Sequence, residues 1–420
     1  MRGARGRGAF RLHVKEKPVS DAPWLTIIGI GEDGVEGLTP GARAIIAGAE
    51  LIVGGARHLA LIGETRAQTL RWPSPIEDAL PDIVKKRGRP VVVLASGDPF
   101  FYGVGDLLSR HIAAPEMMCL PSLSAFALAA ARLMWSQQDC ALLSLHGRAF
   151  ERIAPQLQPG RRLIALSRDG DTPLRVARYL TAQGFGGSTL HVLEHMGGPR
   201  ERRRSALARD FAFDDIAALN TLGVEIVAAP GARVIPLAPG LPDDWFEHDG
   251  QITKRDIRAV TLSALAPQRG DLLWDIGAGS GSICIEWMLA DPANRAVAIE
   301  ADAARAARIA RNAAALGVPG LDIVTARAPE GLAALPAPDA VFIGGGATAE
   351  TLEAAWRALN LGGRIVVNAV TLETQALLFA AHAEKGGELV QLNVARARAV
   401  GRFHAFDPAM PVVQWRCARG

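Results

Sequence analysis

Apolar residues recur along this chain in two rhythms. Short apolar runs such as Leu25-Thr26-Ile27-Ile28, Val91-Val92-Val93-Leu94 and Leu272-Leu273-Trp274 read as strands covered on both faces. Between them lie stretches whose apolar positions fall three and four apart, the spacing of amphipathic helices. In the first half this predicts strands over 24–31, 51–55, from Val91, and over 142–145, 163–166, 189–194 and 225–229. Helices are expected from Pro40 and over 76–87, 122–135 and 172–183, with Thr39 as N-cap ahead of Pro40. In the second half the pattern predicts a helix over 257–265, then strands near Leu272, Ala296, Leu321, Asp339 and Arg364 with helices between them. Two closing strands are expected over 388–394 and 412–415. This alternation makes both halves α/β.

The breaks in the pattern divide the chain. Residues 1–22 carry six basic side chains without apolar periodicity and read as a disordered basic tail. A domain is expected over 23–232, a linker rich in proline, glycine and acid over 233–249, and a second domain over 250–420.

The most informative stretch runs from Leu272 to Gly281. An apolar strand ends in Asp275 and then in Gly277, Gly279 and Gly281, with Ala278 and Ser280 between them and a helix expected over 282–290. Glycines there let the backbone approach a ligand closely. A second strand, 296–300, ends in Glu300, placed where a Rossmann-like fold holds a ribose diol. A dinucleotide fingerprint would put its third glycine at Ser282, whereas here it falls at Gly281, which is the S-adenosylmethionine (SAM) spacing. A turn that binds nothing needs neither Asp275 nor Glu300.

Other stretches stay open on the residues alone. The corner Ser96-Gly97-Asp98-Pro99 either binds a ligand or merely turns the chain. His191 and His195 lie four apart on a segment that reads as strand and lacks the Glu of a zinc-binding helix, so structural roles are expected and no metal. The run Arg200–Arg204 reads as a solvated loop.

Composition narrows the classes. An apolar share of 49% in 420 residues is ample for two or three cores. No apolar run approaches the roughly 18 residues of a membrane span, so a soluble cytoplasmic protein is expected. The four cysteines form no C-x-x-C pair. A net charge of +3 gives little support to nucleic-acid binding, although the basic tail keeps an RNA methyltransferase among the alternatives, beside an NAD-dependent oxidoreductase.

The ordered set of motifs resembles a known family. The C-terminal half is similar to the decarboxylating C15-methyltransferase component of cobalamin biosynthesis through Gln251-Ile252-Thr253-Lys254, Trp274–Gly281, Ala328-Pro329-Glu330, Phe342-Ile343-Gly344-Gly345-Gly346 and Val366-Val367-Asn368-Ala369-Val370. The N-terminal half resembles the tetrapyrrole methyltransferases through Gly29-Ile30-Gly31, Leu38-Thr39-Pro40, Gly54–Leu59, Ala95–Gly103 and His146-Gly147-Arg148. Together they resemble the fused, decarboxylating precorrin-6Y C5,15-methyltransferases. The resemblance implies two methylations of precorrin-6B with loss of CO2 from a ring acetate, SAM as cofactor, a tetrapyrrole as substrate, no nucleic-acid or membrane partner, and a homo-oligomer.

It also implies roles for residues. SAM would be contacted in one half by Thr253, Asp275, Gly277, Ala278, Gly279, Ser280, Gly281, Glu300 and Ala328, and in the other by Gly29, Gly31, Gly97, Asp98 and Ser124. The substrate would meet Gly344, Gly345, Gly346, His146 and Arg148, with Lys254, Arg258 and Asn368 at its carboxylates or ring edge as the catalytic set. A reduced meso carbon is enamine-like and already nucleophilic, so alignment for in-line transfer is the main task. Two departures stand out: Arg327 replaces an acid common before Ala-Pro-Glu, and the first glycine turn carries Glu32 and Asp33.

Overall fold

The computed structural model describes residues 23–420, and the segment expected as a basic tail lies outside the described residues. The chain forms two units. The first runs to Gly147 and takes in Arg162–Glu225, and the second comprises Arg148–Arg161 and Ile226–Gly420.

The first unit contains two sheets. Strands β1 (Leu25–Ile30), β2 (Leu51–Gly54), β3 (Gln68–Arg71), β4 (Val91–Ser96) and β5 (Met117–Leu120) form a parallel sheet in the order β3-β2-β4-β1-β5. Leu25 and Ile27 pack with Val91 and Val93 on one face, while Ile28 and Ile30 pack with Val92 and Leu94 on the other. That two-sided burial is why these strands read as unbroken apolar runs. β3 and β5 sit at the edges, with exposed and half-buried residues respectively; β3 carries no such run, and the apolar run of β5, Met117–Leu120, is only four residues long. The helix expected over 76–87 is a 3-10 turn Ile76–Ala79 leading into a short helix Leu80–Val84. Pro81 lacks an N–H and is accommodated only in a first turn, so the helix restarts there.

The second sheet joins β6 (Cys140–Ser144), β7 (Arg162–Leu166), β8 (Thr189–Glu194), β9 (Arg202–Leu207) and β10 (Asn220–Glu225) in the order β6-β7-β10-β8-β9. The strand expected over 225–229 is therefore β10, displaced towards the N-terminus. Gly223, in its middle, interrupts the apolar run because a Cβ there would overlap Leu133 of helix Ala125–Leu133. The arginine run expected as a loop is largely edge strand β9. Arg202 and Arg204 both pair with Glu194, which is 1% exposed, and with Asp215. Burial pushes the Glu194 carboxyl up, but bonds from Arg202 and the Ala217 N–H outweigh it and hold the group below its ordinary value.

In the second unit, β11 (Leu272–Ile276), β12 (Arg295–Glu300), β13 (Asp322–Thr325), β14 (Ala340–Ile343), β15 (Arg364–Ala369), β16 (Glu388–Leu392) and, after a separate hairpin of β17 (Ala395–Val400) and β18 (Phe403–Pro408), β19 (Val412–Ala418) build the fold. The sheet order is β13-β12-β11-β14-β15-β19-β16, parallel except for β19. Trp274, Val341, Ile365 and Trp415 anchor one face, and helices Arg255–Leu265 and Ser282–Ala290 pack beside the sheet. The stretch 233–249 carries buried Ile235, Leu241 and Phe246. Among the described residues no helix is long and apolar enough to cross a membrane.

Ile27 is fully buried in the centre of the first sheet. Ile27→Ala is expected to cost about 2–5 kcal/mol of unfolding free energy in urea titrations, because the neighbouring strands cannot close the cavity.

Candidate active site

In the second unit the chain leaves β11 towards β12 and β13 on one side and returns to β14 on the other. Such a reversal opens a crevice at the carboxyl ends of the strands. A cavity of about 860 Å³ lies there. Gly277, Gly279 and Gly281 all have positive φ, at 73°, 59° and 75°. A Cβ on Gly277 would stand 2.5 Å from the Gly345 carbonyl oxygen, and one on Gly281 would stand 2.7 Å from Ile309 Cγ2. The turn is therefore restricted to glycine by conformation and by space.

Two carboxylates face this turn. Glu300 accepts from Gly279 N at 2.9 Å and from Asp302 N at 3.0 Å, which fixes it at the end of β12. Asp275 is 1% exposed, accepts from Cys284 N at 3.3 Å, and leaves its Oδ1 without a hydrogen-bond partner. Burial pushes its pKa up to about 7 against the opposing Cys284 bonds, and the Glu300 charge adds to the rise. A buried carboxylate with one open oxygen suits a ligand that brings N–H donors or positive charge.

Most residues expected at this site meet at the cavity. Thr253, Lys254, Ala278, Ala328, Gly344, Gly345, Gly346 and Asn368 line it together with Asp275, Gly277, Gly279 and Glu300. Ser280 and Gly281 are not in the lining, and the Ser280 carbonyl accepts from Asn312 Nδ2 at 2.9 Å. Asn368 does line the cavity, but its amide already bonds Thr261 Oγ1 and Gln414 Nε2, both at 2.9 Å.

Arg258, expected at substrate carboxylates, does not reach the cavity. It is fully buried, donating to Glu286 Oε1 at 2.6 Å, Asp243 Oδ1 at 3.1 Å and the carbonyls of Thr253 and Leu241. Glu286 also accepts from Gly240 N and Leu241 N. This buried pair ties the segment before the domain to the wall that carries Thr253. Missed by the sequence reading were Arg305 and Arg396, which line the cavity and pair with Asp249 and Asp256. Arg396 comes from the exposed β17–β18 hairpin, whose apolar pattern carried no signal.

The first unit has a smaller cleft, about 90 Å³, between its two sheets. Gly31 and Gly97 line it, whereas Gly29 lies beneath, where a Cβ would overlap the Gly97 carbonyl. Asp98 closes the corner by accepting from Phe100 N at 2.9 Å, and Ser124 caps helix Ala125–Leu133 by accepting from Ala127 N at 3.1 Å. Neither lines the cleft, and neither do His146 and Arg148, which follow β6 in the chain; Arg148 belongs with the second unit. Sequence reading did not single out Glu32, Arg57, Ser96 or His195 for this cleft, where they converge. Arg57 bonds Glu32 Oε1 and donates to Ser96 Oγ at 2.7 Å, while His195 Nδ1 lies 3.1 Å from Glu32 Oε2. Burial raises the Glu32 carboxyl, but the bonds from His195 and Arg57 prevail and hold it below its ordinary value.

The tetrapyrrole (corrin/porphyrin) methylase family matches residues 24–212, and the precorrin methyltransferase domain matches 244–419. A precorrin-6Y C(5,15)-methyltransferase [decarboxylating] of Sinorhizobium sp is 51% identical over 96% of this chain and 98% of its own. The chain belongs to the decarboxylating precorrin-6Y C5,15-methyltransferase family. A second such methyltransferase, from Mycobacterium tuberculosis (strain CDC 1551 / Oshkosh), is 40% identical over 93% of this chain and 98% of its own. A cobalt-precorrin-7 C(5)-methyltransferase of Salmonella typhimurium (strain LT2) is 32% identical over 47% of this chain and 98% of its own.

Two outcomes follow for this precorrin-6Y methyltransferase family member. Gly277→Ala, with a Cβ against the Gly345 carbonyl, is expected to weaken SAM binding about tenfold or more by calorimetry, a loss of at least about 1.4 kcal/mol. The second concerns Asp275, whose folded pKa of about 7 exceeds the ordinary 3.8. Its folded state holds the proton longer, so this group lowers stability as pH rises from about 4 to about 7, by about 4 kcal/mol at most, and no further above that. A cationic ligand beside Oδ1 reverses the preference. SAM affinity should therefore rise between about pH 6 and pH 8 with release of a proton, and Asp275→Asn should flatten that rise.

Proposed function

We propose that this chain methylates precorrin-6B at carbons 5 and 15 with SAM and removes CO2 from a ring acetate, giving precorrin-8X in cobalamin biosynthesis. The single observation that carries the reading is the cavity at the β11 switch point, where a glycine-only turn faces the open Oδ1 of Asp275 and the fixed carboxylate of Glu300. These residues fit SAM, which supplies an electrophilic methyl group when bound. Glu300 would accept from the ribose hydroxyls, Asp275 would face the cationic end, and Thr253 and Ala328 would flank the cofactor. Gly344, Gly345 and Gly346 keep the wall after β14 free of side chains, which leaves room for a macrocycle.

The division of labour follows from the two halves. We assign decarboxylation and C15 methylation to the C-terminal unit and C5 methylation to the N-terminal one, which the half-length relative acting at C5 supports. Lys254 and Arg396 stand at the cavity as cations for the acetate and propionate groups, and holding the reacting acetate away from water favours loss of CO2. The N-terminal cleft supplies Gly31 and Gly97 for backbone approach, with Gly29 behind them. Domain limits of 23–232 and 250–420 and a cytoplasmic location complete the reading. A homo-oligomer is part of it, supported by β17–β18, which exposes Val400, Phe403 and Phe406.

Anaerobic incubation of the full chain with precorrin-6B and SAM, followed by mass spectrometry, tests the proposal. The expected product has gained two methyl groups and lost one CO2. In Gly277→Ala the CO2 loss should fall in step with SAM occupancy. An unchanged tetrapyrrole in the presence of bound SAM would refute the substrate assignment.

A further inference from the structure

The cleft of the first unit contains an acid–base pair that alignment of cofactor and substrate does not require. Its titratable lining groups are Glu32, Arg57 and His195. Glu32 comes from the turn after β1, Arg57 from the helix Ala56–Leu61 after β2, and His195 from the end of β8 in the other sheet. The rest of the lining is largely apolar, with Leu123, Leu128, Leu193, Met196 and Leu219. Ser96, Asn220 and Thr221 also line it, so a ring edge laid there meets both apolar and polar side chains.

His195 is fixed through its backbone. Its φ is +48°, a left-handed conformation that costs energy for any residue with a Cβ. Its N–H donates to the Leu219 carbonyl at 3.2 Å, and its own carbonyl accepts from Gly198 N at 3.0 Å. Strain of this kind persists where the surroundings fix a side chain for a purpose. The purpose here is set by the ring: Nδ1 faces a carboxylate oxygen, so that nitrogen carries a hydrogen, and in the neutral imidazole the lone pair is then on Nε2.

We propose that His195, oriented by Glu32, is the base that removes the hydrogen from the freshly methylated meso carbon in the N-terminal unit. The inference rests on the assignment of C5 methylation to this unit. In the transfer, an enamine electron pair forms the new carbon–carbon bond, the methyl–sulfur bond breaks, and its pair stays on sulfur. The meso carbon then bears both CH3 and H, and a ring nitrogen has become an iminium. The hydrogen passes as a proton to Nε2, the C–H pair re-forms the carbon–carbon double bond, and the nitrogen regains its lone pair. His195 becomes an imidazolium facing Glu32 and later gives the proton to solvent.

The other lining groups are poor acceptors. The Arg57 guanidinium offers donors and no acceptor. Both Glu32 oxygens are committed, to Arg57 and His195. His58, bonded to Ser96 and Arg57, does not line the cleft, and burial together with the Arg57 charge pushes its pKa down to about 4.

His195→Gly tests this, because glycine accepts the positive φ and keeps the loop. In the full chain, C5 methylation should fall about 10²–10⁴-fold, the range for a lost general base. C15 methylation, CO2 release and calorimetric SAM binding should stay as in wild type. Added imidazole should restore part of the lost rate, and substrate deuterated at the meso position should show an isotope effect larger than in wild type. Glu32→Gln should give a smaller loss. C5 methylation within about threefold of wild type would overturn the proposal, as would a loss that imidazole leaves untouched and that is accompanied by weaker SAM binding. If wild type adds a methyl at C15 but none at C5, the assignment of the N-terminal unit fails, and the role of His195 with it.

Discussion

Backbone passing close to backbone is the constraint on which both units depend. In the second unit Gly277 lies against the carbonyl of Gly345, and in the first Gly29 lies against that of Gly97. Each pair joins the ends of adjacent parallel strands, β11 with β14 and β1 with β4. A single Cβ at either place would push the strand ends apart and displace the groups aimed into the crevice. At β11 those groups are Asp275 and Glu300, and at β1 they are Glu32 and, across the cleft, His195. Site geometry is thus set by the main chain first and by side chains second, which is how a precise site can stand at the end of a sheet.

Buried charge then fixes what the sheets do not. Arg258 and Glu286 neutralise each other inside the second unit and, through Leu241 and Thr253, hold two stretches of irregular chain at the cavity wall. Removing one partner would strand the other in a low dielectric, a loss of about 3–5 kcal/mol. Glu194 plays the same part at the edge of the first unit, where it gathers β9 and the segment around Ala217. In both cases an ion pair that adds little net stability fixes the course of chain that propensity alone leaves free.

How much could be read beforehand follows from these two constraints. Strands covered on both faces announced themselves, and the glycine turn with its paired acids gave the cofactor class because its spacing is tied to backbone approach. The helix Ser282–Ala290 begins and ends where expected, since Gly281 stops the turn and Asp291 leaves the helix. The edge strands β3 and β9 were hidden because they carry polar residues, and β17 and β18 because they are exposed throughout. Arg258 was misread for a reason that periodicity cannot see. An arginine at a helical position reads as a surface or ligand-facing charge until a carboxylate from another helix is found beneath it. His195 was judged structural for lack of a metal-binding partner, and its actual partner, Glu32, lies 163 positions away.

The two reactions proposed for the chain differ in what must leave, and the two sites differ in the same way. Methylation at a meso carbon that bears hydrogen ends with a proton to be disposed of, and the N-terminal cleft places an imidazole beside a carboxylate. When a ring acetate is lost, departing CO2 leaves behind an electron pair that can pass through the ring to the new carbon–carbon bond; the residual methylene then takes up a proton as the methylated carbon gives one up, so the exchange releases no net proton. The lining of the C-terminal cavity contains no histidine; it offers cations from Lys254, Arg305, Arg327 and Arg396 and the carboxylates of Asp256, Asp275 and Glu300. On the proposed reading a cation there would hold the acetate until the bond breaks, and the apolar remainder of the wall, with Ile283, Phe342 and Val412, would disfavour the charged acetate more than the neutral CO2 it becomes. On this proposal one sheet end accepts a proton and the other releases a neutral gas, although in both a glycine at a strand end lies against a neighbouring carbonyl.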